Sequence, residues 1–171
     1  YKYQGEAGDA VSASNSPLIV TASYIYGGNG TADGATQRGY VSGGANFAIG
    51  GLGIYATQAD TAAVVSNSTV KGGDSTLYDA ESAVAAYYGA KLTVEGCTIT
   101  GGSCLVQNGN YGIAGAGISV PMDPCEVTVT GSTVTGGSSD GSWIGSGIDV
   151  PRNAEGSTVK VKSSVIGAGS G

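Results

Sequence analysis

Side chains able to do acid–base or metal chemistry are sparse in this 171-residue chain: 13 Asp and Glu, 7 Lys and Arg, three cysteines and no histidine. Without histidine, a serine or cysteine nucleophile lacks its usual base, and a zinc site loses its commonest nitrogen ligand. Paired carboxylates are the remaining route to catalysis, by sharing a proton across a glycosidic bond or by holding calcium. Asp79 with Glu81 and Asp123 with Glu126 are local pairs, and both read as solvated turn residues. Arg152 lies three residues beyond Asp149, across Pro151, and reads as a turn arginine paired to a nearby carboxylate. No catalytic residue, metal ligand or cofactor site is assigned. Cys104 and Cys125 sit at the two ends of one loop, where a disulfide would clamp it, whereas Cys97 reads as a small apolar side chain filling a corner.

One set of residues stands out by spacing. Phe47, Tyr78, Tyr111 and Trp143 recur at intervals of 31, 33 and 32 residues. Rings spaced in this way form a column if the chain coils with that period. Two uses follow, a packed stack that gains burial and offset ring contacts, or an exposed ladder on which sugar rings lie. The second use makes Tyr78, Tyr111 and Trp143 candidate glycan-binding residues, with Asp79 and Asn110 as polar neighbours.

The elements that would position such a column repeat through the chain. KLTVEGCTITGG at 91–102 is echoed by CEVTVTGSTVTGG at 125–137, and looser copies begin at 17, 61 and 157. The anchor valines are Val20, Val65, Val94, Val129 and Val161. Each copy is preceded by a short β-branched block centred on Val11, Ile54, Val84, Ile118 or Ile148. After a small corner residue (Ser23, Ser68, Cys97, Ser132, Ser164), a second run presents Ile25, Val70, Ile99, Val134 or Ile166. Alternation within the blocks makes them strands with one buried face, as in Leu92 and Val94 against Thr93 and Glu95. Three short strands in about 32 residues give an all-β, right-handed parallel β-helix of about five coils, starting near 10, 53, 83, 117 and 147. The glycine pairs at 27–28, 72–73, 101–102 and 136–137 are expected at bends of positive φ. Asn29 and Asn67, each at the head of an Asn-X-Thr triplet, read as turn asparagines.

These repeats resemble the right-handed parallel β-helices of the pectate-lyase-like superfamily, in particular the Gly- and Thr-rich repeats of bacterial surface and carbohydrate-binding proteins. The resemblance covers the chain from Val11 onward as a single solenoid domain over 1–171, expected to be a segment of a longer one. It implies a fold rather than an activity. The family's catalytic carboxylates have no counterparts, because the positions equivalent to Glu95 are Thr21, Ser66, Thr130 and Lys162, and those equivalent to Asp149 are Tyr55, Ala85 and Ser119. A net charge of -6 argues against nucleic acid as partner, and no apolar run reaches membrane-spanning length. Sparse charge with abundant Ser, Thr and Gly suggests an extracellular or surface protein. The expected role is a non-enzymatic, adhesin-like or glycan-binding scaffold that takes a polysaccharide or surface glycan; the alternatives are a spacer that stacks on itself end to end and a fragment of a polysaccharide lyase or glycoside hydrolase.

Overall fold

The structure is a computed structural model that describes residues 4–30, 47–76, 79–105, 112–122, 124–140 and 143–171. It is a parallel β-solenoid with three five-stranded sheets. The first sheet stacks Leu18–Thr21, Ala62–Ser66, Lys91–Glu95, Glu126–Thr130 and Thr158–Lys162. The second stacks Tyr24–Tyr26, Thr69–Lys71, Thr98–Thr100, Thr133–Thr135 and Val165–Gly167. The third stacks Val11–Ser14, Ile54–Thr57, Val84–Tyr87, Ile118–Met122 and Ile148–Asp149. A two-stranded pair, Gln4–Glu6 with Phe47–Ile49, stands apart from these sheets. The coil count needs correcting: about three turns are enclosed by a neighbour on both sides, and the outermost strands of each sheet are edges rather than full turns.

Strand register follows the repeat residue for residue. Val20 pairs with Val65, Val65 with Val94, Val94 with Val129 and Val129 with Val161. The same holds for Ile25, Val70, Ile99, Val134 and Ile166 on the second sheet, and for Val11, Ile54, Val84, Ile118 and Ile148 on the third. These side chains meet in one core, where Val65, Val94, Val129, Val70, Ile99, Val134, Ile54, Val84 and Ile118 have no exposed surface. Burial lapses at the last rung, where Val161 is 47% and Ile166 39% exposed.

The corner between the first two sheets is built by two adjacent columns. Ala22, Asn67, Gly96, Gly131 and Ser163 all take left-handed backbone conformations, with φ between 46 and 60°, and this fits Asn67 and the two glycines without strain. The next residue is the small one. Ser23, Ser68, Ser132 and Ser164 each donate a hydroxyl hydrogen bond to the carbonyl two residues earlier, over 2.7–2.9 Å. Ser68, Ser132 and Ser164 also accept the amide N–H of the corner residue one rung below, at 3.1 Å.

The glycine pairs work differently from the sequence expectation, because none of them has positive φ. They lie in a seam where the segment leaving the second sheet and the segment returning to the third interleave. An unbroken ladder runs through it: Gly51 N–H donates to Gly28 O, Gly73 to Gly51, Glu81 to Gly73, Gly102 to Glu81, Gly115 to Gly102, Gly137 to Gly115, Gly145 to Gly137 and Gly169 to Gly145, over 2.7–3.1 Å. The two backbones are so close that a Cβ at Gly73 would strike the carbonyl of Gly28, and one at Gly137 that of Gly102. Glycine is required here by backbone contact rather than by dihedral freedom. Beyond the seam a second, smaller apolar cluster forms from Ala80, Cys104 and Ala114.

Candidate functional site

The segments that return through the seam bring side chains to the outer surface where the third sheet begins. A groove of about 320 Å³ opens there, lined by Asp79, Ala80, Ile113, Ala114, Trp143, Ile144 and Asp149, among others. Ala80 and Ala114 help to form its floor and pack from behind on Cys104. Trp143 is 66% exposed, and Ile113 and Ile144 beside it are also exposed. Asp79 is fixed in place, because its Oδ1 accepts the Ile113 N–H at 2.9 Å. Asp149 belongs to the last strand of the third sheet. The lining contains two carboxylates and no Lys or Arg.

Two of the candidate residues read from the sequence, Trp143 and Asp79, therefore line one groove. Tyr78, Asn110 and Tyr111 lie outside the described residues. The column itself is corrected by register: Trp143 bridges Ile113, not Tyr111, and Ala80 N–H donates to Ile113 O as Ala114 N–H does to Trp143 O. The rung series through Trp143 is thus Asp79, Ile113, Trp143. Loops of unequal length precede these residues, so the near-regular aromatic spacing does not coincide with the hydrogen-bonded register. Phe47 falls in the separate two-stranded pair, level with Gln4.

The disulfide is also corrected. Cys104 and Cys125 are both thiols. Cys104 is buried beyond the glycine seam, whereas Cys125 packs in the main core, so the seam separates the two ends of the loop. Burial, and then the carboxylates of Asp79 and Asp140, push the Cys104 thiol up to about 11. Cys97 occupies the corner column as expected, 3% exposed, with its Sγ 3.2 Å from Glu95 O and 3.3 Å from Val65 O.

On the strands, carboxylates do not stack. Glu95 stands between Ser66 and Thr130, and Asp149 beside Ser119. Among the described residues Asp149 and Arg152 form no ion pair, and Glu126 is instead 3.7 Å from Lys91. Sequence columns miss that Asp79, carried by a returning segment, shares a groove with Asp149 on a strand. Among the described residues no cluster of three or more His, Cys, Asp or Glu side chains is arranged to hold a metal.

Fold and groove together define the class, a parallel β-solenoid with an aromatic and acidic surface cleft. No protein-family model matches the chain, and neither a curated protein nor a solved structure matches it.

Proposed function

We propose that this solenoid is a non-enzymatic carbohydrate-binding scaffold, adhesin-like in role, whose ligand site is the Trp143 groove. The observation that carries the reading is Trp143 itself, with most of its surface in water beside Asp79 and Asp149. A large apolar ring left exposed next to convergent polar groups is the usual make-up of a ligand site. A sugar matches both features, since its C–H face lies on an indole and its hydroxyls donate to carboxylates. A location at the cell exterior belongs to the same proposal and rests on the composition. The test is retention on immobilised neutral, amino and acidic glycans, comparing the native chain with Trp143→Ala. Retention lost in the variant supports the proposal; no retention of the folded native chain on any glycan overturns it.

Glycoside hydrolysis is the second reading, favoured by one observation: Asp79 and Asp149 line the same groove, and two carboxylates are the minimum set for that reaction. Release of reducing ends by the native chain, abolished in Asp149→Asn, would replace the binding reading with this one.

A further inference from the structure

We infer that the outer face of the third sheet carries a second sugar subsite, formed by Tyr55 and Tyr87 over Thr57, and that with the Trp143 groove it makes one track for a linear glycan of uncharged or amino sugars. This rests on the carbohydrate-binding reading of the groove and extends it along the solenoid axis.

Tyr55 and Tyr87 come from adjacent rungs and meet edge to face, with ring centroids 5.2 Å apart and an interplanar angle of 72°. Tyr88 joins them, 5.9 Å from Tyr87, and its hydroxyl lies 3.6 Å from Met122 Sδ. The three rings form the principal aromatic cluster among the described residues. Tyr88 has a left-handed backbone, φ 51°, at the corner where the first two rungs place Asn15 and Gln58. A bulky ring is a poor choice for such a corner, and strained positions of this kind concentrate at functional sites.

Beneath the pair lies an unsatisfied polar group. Thr57 stands level with Tyr87 on the neighbouring strand, is 7% exposed, and its Oγ1 has no hydrogen-bond partner. Buried hydroxyls are almost always satisfied, so a donor or acceptor supplied by a ligand when the rings shift would complete this one.

The subsite and the groove share one column. Tyr55 is level with Ala85, Ala85 with Ser119, and Ser119 with Asp149, which lines the groove. Three rung steps of ~4.8 Å separate Tyr55 from Asp149, about 14 Å along the axis. That length exceeds one sugar ring. Of the two intervening side chains Ala85 is buried, so the track crosses that rung on the rings of Tyr55 and Tyr87, and Ser119 beyond it is small and half-buried.

Charge selects the ligand class. Asp149 sits at one end, and Asp79 lies two rungs nearer the tyrosines, on the segment that runs into the strand carrying Tyr87. Glu81 and Asp9 lie close enough to Tyr87 to add, after burial and together with Tyr55 and Tyr88, to the upward shift of its hydroxyl. With carboxylates distributed along the track and no Lys or Arg in the groove lining, a polyuronate is repelled, whereas hydroxyls and protonated amines find acceptors.

The test is isothermal titration of two-residue and six-residue oligosaccharides of glucan, mannan, chitosan and polygalacturonate with the native chain, Trp143→Ala, and Tyr55→Ala with Tyr87→Ala. Ser119→Arg blocks the same path without removing a ring and covers the case in which the tyrosine variant fails to fold. The native chain is expected to bind a neutral or amino hexamer about tenfold more tightly than the dimer. The tyrosine variant and Ser119→Arg should lose that advantage and keep dimer binding, and Trp143→Ala should lose both. A native preference for the polygalacturonate hexamer overturns the inference. So does an undiminished length advantage in folded tyrosine and Ser119→Arg variants, while loss in Trp143→Ala alone leaves the groove reading standing. No binding by the native chain overturns both.

Discussion

The amide N–H of Cys97 donates to the hydroxyl of Ser132 one rung away, at 3.1 Å, while that hydroxyl donates in turn to Thr130 O at 2.8 Å. Ser132 is 3% exposed, so neither partner it leaves behind is readily satisfied by water. Ser132→Ala is expected to cost about 1–3 kcal/mol, the penalty for stranding a buried donor and acceptor. Cys97→Ser should change stability by less than about 1 kcal/mol, because a hydroxyl there can donate to Glu95 O as its serine neighbours do to their own carbonyls. Urea midpoints of the two variants check the pair. Equal losses would mean that the corner column is ordinary packing.

Two glycines of the same repeat should respond differently to one methyl group. Gly137 lies in the seam with the Gly102 carbonyl where its Cβ would be. Gly137→Ala must force apart a pair of hydrogen-bonded backbones and should cost at least the roughly 1–3 kcal/mol of an overpacked core. Gly131 is left-handed, φ 56°, but faces open space. Ala22 and Ser163 already occupy its equivalent position, so Gly131→Ala should cost about 1–2 kcal/mol from the backbone alone. Thermal melts of the two variants separate contact from conformation as the reason for glycine.

Position along the axis should set the cost of identical deletions. Ile99 is fully buried between rungs, whereas Ile166, in the same column, is 39% exposed on the last one. Ile99→Ala is expected to lose about 2–5 kcal/mol, and Ile166→Ala less than about 1.5 kcal/mol, because a partly exposed site has less burial to lose and no closed cavity to form. Equal losses would show that the last rung is covered in solution.

The core columns were legible because strand pairing forces like positions to stack: a valine every rung is both the sequence signal and the structural fact. The seam was not. Gly-Gly after a strand predicts a bend as readily as a close approach, and only the returning segment, whose glycines 51, 115 and 145 interleave with the pairs, distinguishes them. The aromatic spacing misled for a related reason, since loops of variable length lie outside the ladder that fixes register. Trp143 and Asp79 nevertheless line one groove, because each stands where a returning segment re-enters the ladder. Tyr55 and Tyr87 escaped notice as a pair because they touch diagonally, Tyr55 being level with Ala85 and Tyr87 with Thr57.

Cys104 makes the outer cluster sensitive to alkali. Burial first, and then Asp79 and Asp140, raise its thiol from the ordinary 9.0 to about 11. The folded chain therefore holds this proton in a range where the unfolded chain has released it. Stability that depends on the neutral thiol is fully present below about 9, and is lost as pH rises toward 11. The unfolding midpoint should fall over that window in the native chain and fall less in Cys104→Ala. Tyr87 is also raised, chiefly by burial, and contributes in the same direction at the upper edge, so Tyr87→Phe serves as the control. Asp79→Asn removes the larger of the two carboxylate contributions but leaves burial in place. Its Cys104 thiol should titrate lower than in the native chain and still above the ordinary value, as read from pH-dependent alkylation located at Cys104 by peptide mass spectrometry. A Cys104 that titrates at its ordinary value in the native chain would mean that water reaches the cluster behind the groove floor.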